Sequence, residues 1–198
     1  MSAYDADVIV VGAGLAGLAC ARRLQRSGLQ VLLVEASDGP GGRVRTDSVD
    51  GFLLDRGFQV LLTAYPVTRA ELDFGRLDLR PFEPGALVRT GGAFHRVSDP
   101  FRRPGAALAT LRPPIGSWGD TRRVAQLALR VRRGSLTDLF ERPETSTLSY
   151  LAGRGFTDRM IDTFFRPFLG GVFLDPSLET SSRMFEFVFR MFGEASVA

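Results

Sequence analysis

The 198-residue chain is 44% hydrophobic and 24% charged with mean hydropathy +0.04, which excludes a disordered segment or a disulfide-stapled miniprotein and leaves room for a core in one large or two small domains. Its net charge of +3 comes without lysine or asparagine; all 25 basic residues are arginine, a GC-rich codon signature rather than a sign of nucleic-acid binding. The single Cys20 excludes an internal disulfide, Asp5 and Asp7 stand where a secretory leader is basic, and the uncharged run Val8 to Ala21 is shorter than the roughly 20 residues of a membrane span, so a cytoplasmic, reducing location is expected.

In chain order, DVIVV predicts a strand, GAGLAG a glycine turn, LACARRLQRSG a helix closed by Gly28, and LQVLLVE a second strand, together a βαβ unit. The two strands are near-continuous apolar runs, which predicts a parallel sheet covered on both faces. Cys20, among apolar neighbours on the helix, is expected in the core. Asp50-Gly51 predicts a hairpin turn, a short helix is expected over Pro66 to Phe74, and Gly91-Gly92 predicts a second hairpin carrying His95, the only histidine, as a strand-face residue. Four prolines make Ser98 to Gly119 irregular.

Asp120 is then expected to cap a helix with the apolar stripe Val124, Leu127, Ala128 and Val131, and with Arg122, Arg123, Arg130, Arg132 and Arg133 on a largely solvated face. From Arg96 to Arg133 nine arginines face two aspartates, so any charge-driven partner would meet this segment. Further helices are predicted from Thr145, from Thr157 with a break at Pro167, and from Thr180 to Phe192. That last helix carries apolar side chains almost all round, so it needs cover on most sides. Because the chain stops six residues later, this reads as the N-terminal part of a longer polypeptide, with a helix buried by the chain itself as the alternative.

The chemistry sits at the first turn. Gly12, Gly14 and Gly17 form GxGxxG between strand and helix, and Glu35 ends the next strand 18 residues on. The first glycine permits the tight turn, the second lets the backbone approach a pyrophosphate, and the third brings helix onto strand. Backbone N–H groups from Ala13, Leu15 and Ala16 and the helix dipole would then hold phosphate. Glu35, with Ala36 beside it, would bind ribose hydroxyls and repel a 2′-phosphate, favouring FAD or NAD over NADP. With one histidine and one cysteine, no protein-built metal site is expected.

Together DVIVVGAGLAGLACARRL, VLLVEASDGPGGRVRT and GFLLDRGFQVL resemble the N-terminal motifs of the flavoprotein amine oxidase, phytoene desaturase and protoporphyrinogen oxidase superfamily. FFRPFLGGVFLDPSLETSSRMF resembles the middle of the same family more loosely. The resemblance implies an α/β fold: a Rossmann-like FAD-binding βαβ unit with antiparallel hairpins, followed by the mainly helical start of a substrate domain, divided as 1–75 and 76–198. It implies FAD as cofactor, with Gly42 and Arg43 along its phosphate and ribitol side and Gly57, Phe58 and Gln59 where backbone passes the flavin. It also implies hydride transfer from a C–N or C–C bond of an apolar or amine small molecule to the flavin. Asp55 and Arg56 are read either as a local ion pair or as cofactor contacts. The family closes its FAD site with a C-terminal Gly-Asp segment that this chain lacks, so a dinucleotide grip is expected without a finished flavin pocket. An NAD-dependent dehydrogenase and a membrane-surface or nucleic-acid binder acting through the 120–133 helix are the alternatives, with a homo-oligomer left open.

Overall fold

A computed structural model describes residues 5–57, 60–98, 115–194 and 197–198. It divides into two compact units, 1–61 and 62–198, so residues 62–75 lie in the second.

In the first unit, β1 (Val8–Val11) and β2 (Val31–Val34) pair in parallel from Val8↔Val31 to Val11↔Val34, joined by α1 (Leu15–Arg26). The helix ends at Ser27 and Gly28, whose φ of +83° is the left-handed turn that a side chain resists. Val10, Ala13 and Ala21 form the buried contact, whereas Ile9, Val11 and Leu32 are exposed, Val11 at 83%. The expectation of a sheet covered on both faces is therefore corrected: α1 covers one face, and among the described residues of this unit no element covers the other. Cys20 is corrected likewise. It is exposed, because α1 meets the strands through Gly17 and Ala21 and the adjacent position turns about 100° away from that contact.

β3 (Thr46–Val49) and β4 (Phe52–Asp55) form an antiparallel hairpin whose turn residues Asp50 and Gly51 both have positive φ, 51° and 84°, as a two-residue turn with strand-matched twist requires. Asp55 and Arg56 do not pair with each other. Successive side chains on extended backbone point to opposite faces, so Asp55 accepts from the Thr46 hydroxyl across the hairpin at 2.5 Å and Arg56 grips Asp47 at 2.7 and 2.8 Å.

The second unit starts with α2 (Pro66–Glu71), shorter than expected, and a 3-10 turn at Phe74–Arg76 capped by Asp73. β5 (Gly85–Thr90) and β6 (Ala93–Ser98) close a hairpin around Gly91 and Gly92, with His95 opposite Val88. Of the stretch expected to be irregular, residues 99–114 lie outside the described residues. In α3 (Trp118–Val131) the cap is Ser117 rather than Asp120. Asp120 sits at the third helical position and returns the bond to the Ser117 N–H, a reciprocal capping box. Ser135 and Asp138 repeat the device on α4 (Leu136–Glu141).

After α5 (Thr147–Gly153), the chain runs through α6 (Asp158–Met160), a π turn at Ile161–Phe165 and α7 (Arg166–Phe173). The expected break at Pro167 is absent: residues 158–173 run on through the π turn, whose widened ladder just before the proline accommodates a residue that cannot donate. The last helix, α8 (Ser182–Glu194), packs Phe185 into a core with Leu127, Leu151, Phe156, Phe165 and Leu169. Val188 and Met191 enter a second cluster with Leu62 and Ala64. Met184, at 40%, is its only exposed large apolar side chain, so the expectation that this helix needs cover from elsewhere is corrected. The arginine face of α3 is also not simply solvated: Arg130 pairs with Glu186, Arg132 donates to the Gly193 carbonyl and Arg123 lies near Asp120. Among the described residues no helix is long and apolar enough to cross a membrane.

Candidate dinucleotide site

The site is built by backbone before any side chain acts. Gly12 leaves β1 with φ +95°, a left-handed conformation that turns the chain toward α1. A Cβ on Gly17 would lie 1.8 Å from the Gly12 carbonyl oxygen, so only glycine lets the first turn of α1 rest against the end of β1. Gly14, at the helix cap, has the opposite surroundings: φ is −73° and a Cβ there would meet nothing within 4 Å. The space above Gly14 is thus open, beside the Leu15, Ala16 and Gly17 N–H groups that an α-helix leaves without an acceptor in its own first turn.

A second loop is tied onto this turn. The Gly41 N–H donates to the Ala13 carbonyl at 2.7 Å, and Gly14 and Gly41 form a parallel bridge. Gly42 begins a short 3-10 turn with φ +56°, and a Cβ on it would meet the Gly14 Cα at 3.3 Å, so two bare backbones stack. Gly41 itself carries φ +114° and a Cβ there would fall 2.7 Å from Arg45 Cγ. Gly41 thus joins Gly42 and Arg43 in this loop, the doubled glycine and arginine that the family resemblance singles out.

Arg45 is held at 2.6 Å by Asp38, whereas Arg43 is exposed and has no carboxylate partner among the described residues. Gly57 is glycine for a local reason: a Cβ would come 2.5 Å from the Arg43 carbonyl oxygen, so the β4 exit is packed on the Arg43 backbone. Phe58 and Gln59 lie outside the described residues.

Glu35, at the end of β2, accepts from the Ala13 N–H at 2.6 Å and the Ser37 N–H at 2.9 Å. These backbone donors, Ala13 first, hold its carboxyl well below the ordinary range, at about 2. The carboxylate is therefore ionised and oriented, with a lone pair left on each oxygen for further donors. Sequence reasoning had not assigned it this contact with the glycine turn, nor Ser37 a role. Ala36 follows on the exposed side.

The residues expected for a dinucleotide grip, Gly12, Ala13, Gly14, Leu15, Ala16, Gly17, Glu35, Gly42 and Arg43, are thus brought around one turn. FAD fits this donor set: an open bare-backbone cradle for the pyrophosphate, helix N–H groups facing it, one exposed guanidinium and one ionised carboxylate. His95 is remote in sequence on β6, with Nε2 3.3 Å from the Thr90 carbonyl oxygen, as expected for a strand residue.

The sequence model of the flavin-containing amine oxidoreductases matches residues 15–198. The chain belongs to this family, a family of FAD-dependent oxidoreductases, and its cofactor is FAD. The zeta-carotene-forming phytoene desaturase of Myxococcus xanthus is 47% identical over 55 residues, which is 28% of this chain and 11% of that enzyme. An oxidoreductase from Methanosarcina mazei superposes with TM-score 0.65 at 24% identity, over 96% of this chain and 44% of that one. A putrescine oxidase redesigned at its cofactor site superposes with TM-score 0.58 at 22% identity, over 97% and 45%. The fold is shared at these identities, and the chain spans less than half the length of either structure.

Proposed function

We propose that residues 1–61 grip the ADP end of FAD and that the later helices begin the substrate-binding part of an oxidoreductase acting on a C–N or C–C bond of an apolar or amine small molecule. The observation that carries this reading is the joining of two glycine loops: the Gly12–Gly17 turn and the Gly41–Arg43 turn share the Gly41 N–H to Ala13 carbonyl bond and leave an open backbone cradle. Leu15, Ala16 and Gly17 would offer N–H groups to the pyrophosphate, Arg43 would neutralise it, and Glu35 would receive the ribose hydroxyls while disfavouring a 2′-phosphate. When bound, FAD supplies the hydride acceptor. What the chain contributes is position within the ADP end: helix N–H groups at the pyrophosphate and a fixed carboxylate at the neighbouring ribose.

The test is equilibrium titration of the chain with FAD, NAD and NADP, followed by calorimetry and, for FAD, by flavin fluorescence. Saturable binding of FAD, lost in Gly14→Val and weaker for NADP than for NAD, supports the reading. Equal binding of FAD by wild type and Gly14→Val, with both folded, overturns it.

A further inference from the structure

A pocket of about 440 Å³ opens in the second unit between α3 and α5, away in sequence from every residue assigned to the dinucleotide. Its walls carry Arg123, Gln126, Thr145, Ser149, Tyr150 and Arg154, and among the described residues no carboxylate lines it. Nearby acids are already engaged. Asp120 is buried and accepts from the Ser117 N–H and hydroxyl and from the Thr157 N–H and hydroxyl, between 2.7 and 2.9 Å. Glu186 is buried and accepts from Arg130 at 3.2 Å, Arg142 at 2.7 Å and the Tyr150 hydroxyl.

Neither guanidinium donates a hydrogen bond to a carboxylate among the described residues, and Arg123 has only a long ion pair, to Asp120. Arg123 is 3.6 Å from Asp120, too far for a hydrogen bond, and lies in a slot between two glycines. A Cβ on Gly119 would fall 2.7 Å from its Nη1, and one on Gly155, where φ is +78°, 3.2 Å from its Nε. Arg154 stacks on the Tyr150 ring with its guanidinium carbon 4.6 Å from the centroid. The ring is fixed in turn because the Tyr150 hydroxyl is anchored to buried Glu186. Ser149 accepts from the Ser146 hydroxyl at 3.0 Å, which leaves its own proton to donate elsewhere.

We propose that this pocket binds the phosphate group of a phosphorylated small molecule. Two cations and three neutral hydrogen-bonding side chains, Gln126, Thr145 and Ser149, suit a tetrahedral anion with several acceptor oxygens better than a two-oxygen carboxylate. The volume exceeds what a lone phosphate fills, so the remainder of the ligand lies over Leu127 and Gly153. The site is independent of the FAD reading, since none of its residues is assigned to that cofactor.

The experiment is calorimetric titration of the chain with inorganic phosphate and, separately, with acetate, at constant ionic strength made up with chloride. Saturable phosphate binding is expected, with Arg154→Ala and Arg123→Gln each weakening it about tenfold or more, as loss of a charged hydrogen bond does. Arg80→Ala, which removes only an exposed pair with Asp78, should leave it unchanged. In the unsubstituted chain, phosphate should also slow phenylglyoxal modification of Arg123 and Arg154, read by peptide mass spectrometry, a measurement that does not depend on any variant folding. Acetate bound as tightly as phosphate, phosphate affinity equal in wild type and Arg154→Ala, or no protection of either arginine would overturn the proposal.

Discussion

Gly14 and Gly17 stand three residues apart in one turn, yet the structure gives the same substitution opposite consequences at each. At Gly14 the backbone is extended, φ −73° and ψ 179°, and an added methyl meets nothing within 4 Å. Gly14→Ala should therefore leave the fold intact and raise stability by about 0.4–1 kcal/mol, because the unfolded chain loses freedom that the folded chain never used. The same methyl stands in the cradle assigned to pyrophosphate, so FAD affinity should fall sharply while the fold is unharmed. At Gly17 the methyl would lie 1.8 Å from the Gly12 carbonyl oxygen and 3.0 Å from its carbon. Since that oxygen is backbone, α1 must move off β1 by more than 1 Å. Overpacking of this kind costs about 1–3 kcal/mol, and it also separates the helix N–H groups from the turn. The assays are urea unfolding, followed by circular dichroism, and FAD titration of the same two variants. Gly14→Ala that binds FAD like wild type, or Gly17→Ala that is as stable as wild type, would refute the reasoning.

Glu35 should titrate with a midpoint of about 2 by carboxyl NMR, below its ordinary value of 4.5; its native-state contribution is then complete above 4.5 and is lost as pH falls through about 2, so a midpoint near 4.5 would show that the Ala13 and Ser37 contacts do not form. Glu35→Gln should keep the fold but reduce the preference for NAD over NADP in parallel titrations, the carboxylate charge being what a 2′-phosphate meets. Burial pushes the Glu186 carboxyl up, but hydrogen bonds from Tyr150, Arg142 and Arg130 outweigh it and hold it below the usual range. Glu186→Ala, which strands those partners, should therefore cost about 3–5 kcal/mol in chemical unfolding, and a loss under 1 kcal/mol would contradict the network. Phe185, fully buried among Leu127, Leu151 and Phe165, should cost about 3–5 kcal/mol on replacement by alanine in the same assay.

Local signals carried much of this protein. The βαβ unit, both two-residue hairpins and the strand-end position of Glu35 were legible because each depends on short-range backbone chemistry: glycines at positive φ, β-branched runs and a helical repeat. The glycine turn was legible for the same reason, since the φ of Gly12 and the contact of Gly17 with Gly12 lie within six residues. What the sequence left undetermined were the pairings made across the chain. Whether Asp55 or Asp47 would hold Arg56 depended on strand register, and whether Cys20 would be buried depended on which face of α1 met the strands. Pro167 was accommodated by a π turn that local propensity does not announce. The phenylalanine-rich last helix looked uncovered because composition reports how much apolar surface exists, not which neighbours lie over it. Only the tertiary structure placed Leu127, Leu151 and Phe165 around Phe185, and set Glu186, 56 residues from Arg130, at hydrogen-bond distance from it. Such contacts arise from chain closure over long separations, where no periodicity in the sequence records the partner.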